Sequence, residues 1–88
     1  MVTIHFPLTE PICTPNTTVA FEAVVDGVMT SFEISEEALL DHFGADSRKA
    51  AELVRTFKAN RPTIEAVAKI KLPIRLNAGR LLLVSTDF

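Results

Sequence analysis

Asp41 and His42 are neighbours, and Cys13 is the chain's one thiol. These are the residues whose types could carry proton transfer or nucleophilic attack. Adjacent positions on a helix diverge by about 100°, so Asp41 and His42 are poorly placed to work as a pair. A histidine in the last turn of a helix already has a structural role there, facing the negative end of the dipole. Cys13 alone makes no internal disulfide and is too few for a thiolate metal cluster, which fits a reducing compartment. The other histidine, His5, has no partner signal nearby and reads as a solvent-facing strand residue. The carboxylates Glu36 and Glu37 fall where a helix begins and are accounted for by its dipole. The chain has no Gly-rich phosphate loop, no His-x-x-x-His or Cys-x-x-Cys spacing and no nucleophile elbow. The expectation is a non-catalytic protein without a cofactor or metal.

Charge is the more informative chemistry. Residues 1–46 contain eight acids and no Lys or Arg, a net −8, whereas residues 47–88 carry nine bases against three acids, a net +6. Arg48, Lys49, Arg55, Lys58 and Arg61 cluster within one helical stretch, and such a cluster can neutralise phosphates. Glu52 lies among them, however, Trp and Tyr are absent as stacking platforms, and the whole chain is acidic at −2. Nucleic acid is therefore possible and not favoured. Mutual attraction of the two halves, within one fold or between symmetric copies, ranks ahead of a nucleic-acid surface.

The elements that position these residues are organised by Asp26-Gly27, flanked by Val25 and Val28, the signature of a two-residue type I′ hairpin turn. That turn pairs Val24 with Met29, Phe21 with Phe32 and Val19 with Ile34. Val19, Phe21, Ala23, Val25, Val28, Thr30, Phe32 and Ile34 then share the core face, leaving Ala20, Glu22, Val24, Met29, Ser31 and Glu33 on a mixed opposite face. Before the hairpin, Met1 to Phe6 alternates as a short strand, and Pro7, Pro11 and Pro15 predict an irregular arm up to Asn16. After it, Ser35 caps a short helix closed by Gly44, with Leu39, Leu40 and Phe43 on the apolar stripe and Ala38 facing away. Asp46 or Ser47 caps the next helix, whose apolar positions are Ala50, Leu53, Val54 and Phe57. Pro62 either kinks this helix or sits in the first turn of a new one capped by Asn60. Ile64, Val67 and Ala68 continue the stripe toward Ile70 or Lys71, and Pro73 ends it. Residues 72–76 are ambiguous and read as extended in one alternative, with Asn77-Ala78-Gly79 a turn signal. Leu81 to Val84 is an apolar run whose two faces both need cover, one from helices and the other from the N-terminal arm or a second copy. Phe88 is expected to dock.

At 88 residues the chain forms a single domain, 1–88. No apolar run approaches the ~20 residues that cross a bilayer, and no signal-peptide pattern opens the sequence, so no membrane and a cytoplasmic location are expected. In order, VAFEAVVDG, ISEEALLDHFGA, FKANRPTIEAVA and LLLVSTDF resemble a small bacterial family, domain of unknown function 1488. That resemblance implies a two-layer α+β domain and carries no known activity, site residue or ligand. The combined expectation is a mainly antiparallel sheet of N-terminal strand, hairpin and C-terminal strand, packed by two to three helices. Its function is expected to be that of a self-associating interaction or regulatory module, a homodimer with an unidentified protein partner. The candidate surface is Arg48, Lys49, Arg55, Lys58 and Arg61 with Val24 and Met29, and nucleic-acid binding by the basic helix is the alternative.

Overall fold

Asp26 and Gly27 take φ of 49° and 84°, the left-handed conformation that a type I′ turn demands at both central positions. The computed structural model, which describes residues 3–77 and 81–88, carries the resulting register without a bulge from Val25↔Val28 through Phe21↔Phe32 to Val19↔Ile34. These pairs join β3 (Val19–Val25) to β4 (Val28–Ile34). The Phe21 and Phe32 rings lie 6.2 Å apart on the core face, and both are buried.

Around this hairpin the sheet has five strands. The outer edge of β3 is shared by β1 (Ile4–His5), opposite Val24 and Val25, and β2 (Ile12–Cys13), opposite Val19 and Ala20. β2 lies inside the arm expected to be irregular. Pro11 and Pro15 flank it instead of interrupting it, and prolines are tolerated beside an edge strand. On the other side β5 (Leu82–Leu83) pairs in parallel with Glu33 and Ile34 of β4. The apolar run is thus a strand over only two residues. It runs parallel because the three intervening helices make a crossover long enough to carry the chain back before it re-enters the sheet in the direction of β4. The fold is α+β, with a mostly antiparallel sheet and helices on one face.

The helices follow from their caps and stripes. Ser35 Oγ accepts the Ala38 N–H at 3.2 Å to open α1 (Glu36–His42), and Gly44, at φ 73°, turns the chain after Phe43. Ala38 is fully buried instead of facing away, because α1 is covered by α2 as well as by the C-terminal 3₁₀ turn (Ser85–Asp87). α2 (Ala50–Ala59) begins later than its expected caps, with Lys49 at the N-cap and no side-chain cap bond. Glu52 reaches back from the first turn to accept the Asp46 N–H at 2.9 Å, so Asp46 is a loop residue held by the helix. Leu53 and Phe57 are buried, but Ala50 is exposed.

Asn60 ends α2, and α3 (Arg61–Asn77) starts at the next residue with Pro62 in its first turn, so this stretch is two helices. Its buried stripe is Ile64, Ala68 and Leu72, four apart, which leaves Ile70 69 % exposed. Pro73 does not end α3, nor are residues 72–76 extended. A proline removes one backbone bond, here to a helix already three turns long. Ala78 and Gly79 of the turn signal lie outside the described residues. The C-terminus is docked: Phe88 meets Phe43 edge-on at 5.2 Å, while Arg75 of α3 binds the Asp87 carboxylate and the Leu82 carbonyl.

Candidate interaction surfaces

Strand alternation puts His5, Ile12, Ala20, Glu22, Val24, Met29, Ser31, Glu33 and Leu82 on the sheet face away from the helices. Of the two residues expected on this surface, Val24 is half-buried and Met29 is 53 % exposed; Ile12 and Leu82 are exposed with them. On the helix side, burial falls along β4 from Ile34 and Phe32, both fully covered, through Thr30 to Val28 at 65 % exposure. The hairpin tip therefore projects past the helices with an apolar side chain bare on each face.

Among the described residues, nothing pairs with the outer edge of β4 beside that tip. Glu33 donates its N–H to the Leu81 carbonyl and Ser35 to the Leu83 carbonyl, so these two residues bond away from β3. Bonding direction alternates along an antiparallel strand, which aims the backbone groups of Ser31 and Met29 the same way. Among the described residues no strand pairs with β4 there, since β5 reaches only Glu33 and Ile34.

The basic cluster is spread along α2 and the start of α3, and most of it is paired. Arg48 binds Glu36 at 3.0 Å, Arg55 binds Glu52 at 2.7 Å and lies 3.9 Å from Asp46, and Lys58 binds Glu10. Three of these contacts, to Glu36, Asp46 and Glu10, join the basic half of the chain to the acidic half. Arg61 is a staple: it binds Glu65 at 2.8 Å, donates to the Pro7 and Thr9 carbonyls at 2.9 Å each, and lies over the Phe57 ring. Lys49 is exposed and makes no ion pair among the described residues. Hydrogen bonds from Arg55, then from the Asp46 N–H, hold the Glu52 carboxyl down at about 2, below its ordinary 4.5, and Glu52 in turn raises the Arg55 guanidinium. Between α2 and β2 runs an open groove of about 580 Å³, with Ala50, Ala51 and Val54 facing Pro11 and Ile12, and Arg55 and Lys58 at its rim. Cys13 is half-buried at its base and directs its thiol to the Thr14 carbonyl at 3.7 Å.

Asp41 and His42 do converge, but on Ser85 and not on each other. Ser85 Oγ donates to Asp41 Oδ2 at 2.9 Å, and His42 Nε2 lies 2.9 Å from the Ser85 carbonyl and 3.2 Å from its hydroxyl. A hydrolytic triad needs Nε2 unprotonated toward the serine and a carboxylate on Nδ1. Here Nε2 faces a carbonyl and must carry the proton, while the hydroxyl proton goes to Asp41. The arrangement ties the C-terminal turn to α1. Ser85 lies more than forty positions from both partners, so no spacing in the sequence pointed to it. Among the described residues no group of three or more His, Cys, Asp or Glu is placed to hold a metal ion, and no helix is long and apolar enough to cross a membrane.

No curated protein and no solved structure matches the chain. The profile of the family described as "Protein of unknown function (DUF1488)" matches residues 4–83, nearly the whole length, and the chain belongs to that family.

Proposed function

We propose that this chain is a non-catalytic interaction module that works by self-association. One observation carries the reading: the hairpin tip leaves Val28 and Met29 bare on opposite faces of the sheet, beside a strand edge with which no described residue pairs. Exposed apolar side chains are common singly on a soluble protein, whereas a group of them at an unpaired backbone edge marks an association site. Ile12 and Leu82 are exposed farther along the helix-free face, beyond Glu22 and Ser31. The charge layout supports the same reading, since pairing within the fold takes up most of the cations that a separate phosphate-binding surface would need.

The test is light scattering coupled to size exclusion at micromolar concentration, where a mass twice that of the 9.7 kDa chain is expected. A monomer throughout that range overturns the proposal. Nucleic-acid binding by the basic helix has Lys49 and the exposed, though paired, side chains of Arg48, Arg55 and Lys58 in its favour. Binding to mixed DNA or RNA at low salt that weakens steeply as salt rises would promote that reading over self-association.

A further inference from the structure

We propose that the open groove between α2 and β2 docks a helix of a partner protein. That helix opens on acidic residues, continues with an apolar stripe and lies antiparallel to α2. The groove is separate from the hairpin tip through which the chain self-associates.

α2 is apolar over a wider arc than the fold covers. Leu53, Thr56 and Phe57 are buried, whereas Ala50 and Ala51 are exposed and Val54 is half-buried. Across the gap they face Pro11 and Ile12, and Ile12 is 61 % exposed. The described walls of the groove are apolar apart from Cys13 and two cations, with no acid among them. It lies at the sheet edge away from β5. An open trench leaves one side of its occupant wet, whereas a small-molecule site encloses most of its ligand. A helix with one face to bury and another to keep in water is the matching shape.

Charge gives the occupant its polarity. Ala50, Val54 and Lys58 form one ridge of α2, and Ala51 and Arg55 the next, each running from an apolar start to a cationic end. Lys58 already carries a carboxylate, Glu10, in a pair exposed on both sides, and such pairs are weak enough to exchange. Glu52 holds Arg55 through Nε and Nη2, which leaves Nη1 without a partner among the described residues. Arg55 and Lys58 lie one turn apart, so two acids within one turn of a partner helix meet both. Carboxylates are favoured in the first turn of a helix. The partner's start therefore lies toward the C-terminal end of α2, and the two helices run antiparallel. A run of phosphates finds no such match, because the cations stand at one end of the groove and the rest is apolar. The chain's own acid-led helix, α1, is buried at Ala38 and Leu39, so a second copy does not supply the occupant.

The probe is a synthetic peptide with glutamates in its first turn followed by leucines at i, i+3, i+4 and i+7. A hydrocarbon staple on its polar face holds it helical, because short helices do not persist in water. The control peptide has lysine in place of each glutamate. Cys13, the chain's one thiol, sits at the base of the groove and reports occupancy through its rate of reaction with a thiol reagent. By fluorescence anisotropy the Glu peptide is expected to bind in the micromolar range, about tenfold or more tighter than the Lys peptide, and to slow labelling of Cys13. Ala51→Glu adds charge at an exposed helix position without touching the core, and should weaken that binding by about tenfold or more. Lys58→Glu should cut the advantage of the Glu peptide over the Lys peptide by a similar factor, whereas Thr63→Glu, exposed on α3, should change neither measurement. No binding, equal binding of both peptides, or binding that leaves Cys13 labelling unchanged overturns the proposal. So does saturable binding of dodecanoate in place of the peptide, which makes the groove a fatty-acid site. Loss of native self-association in Ala51→Glu also overturns it, because the occupant is then a second copy.

Discussion

Glu52 shows how one carboxylate can organise a helix start that lacks an ordinary cap. It holds the Asp46 N–H and the Arg55 guanidinium together, and its folded acidity, at about 2 against an ordinary 4.5, records that both contacts need the charged form. A depressed folded value means that Glu52 contributes stability fully above about pH 4.5 and loses it as pH falls toward 2. Glu52→Gln should therefore flatten the acid limb of stability between those limits, as followed by urea midpoint against pH, while losing stability at neutral pH. At the other end of the chain, the Asp87 side chain is only 5 % exposed and is held by Arg75, with Asp87 Oδ2 also accepting the Val84 N–H. Arg75→Ala strands that carboxylate in the interior and should cost about 3 kcal/mol by chemical denaturation. Removing both partners together, as Arg75→Leu with Asp87→Leu, should cost less than the two single changes summed, since neither charge is then left alone.

At the scale of elements, α3 carries a contradiction between local preference and packing. Pro73 withholds a backbone bond in the helix's last turns, yet the helix continues to Asn77, and Arg75 beyond the proline makes the contacts that secure the C-terminal turn. Leu72, immediately before it, is fully buried, and that burial offsets a local penalty that would end an isolated helix. Pro73→Ala should consequently raise stability by about 2 kcal/mol in a urea titration, provided the helix keeps its course. A fall in stability would mean that the course Pro73 gives the last turn of α3 is what brings Arg75 to Asp87. Pro62 presents no such conflict, because a first-turn proline occupies a position whose amide has no helical partner.

For the whole molecule, the opposed charges of the two halves are explained in part inside the fold, where Glu36, Asp46 and Glu10 meet Arg48, Arg55 and Lys58. The contacts are exposed at one partner or both, so they set which surfaces face each other more than they add stability. At the hairpin tip the side chains of Val28 and Met29 stay uncovered. If two copies close over it, folding and association are linked, and the thermal midpoint should rise with protein concentration across the micromolar range. Met29→Lys should remove that dependence while leaving the dilute-limit midpoint nearly unchanged, measured by calorimetry or circular dichroism at several concentrations.

The α+β class came from the family resemblance, while the hairpin, its seven-pair register, the buried Phe21 and Phe32 and the caps at Ser35 and Gly44 were readable from local pattern, because turn conformation and side-chain alternation are decided by neighbouring residues. The same is true of Met29 as a surface residue. Which way the C-terminal strand ran, whether Pro73 ended its helix, and which partner each cation took were not readable. Those depend on contacts between residues far apart in the chain: Glu33 with Leu81, Arg75 with Asp87, Lys58 with Glu10, Asp41 with Ser85. Local sequence determined the hairpin turn and the faces of its strands, but not the burial of Ala38, the exposure of Ala50 or the end of α3. Tertiary packing alone decided which charges were consumed and which strand met which, because a backbone group or an ion finds its partner only when distant segments have been placed.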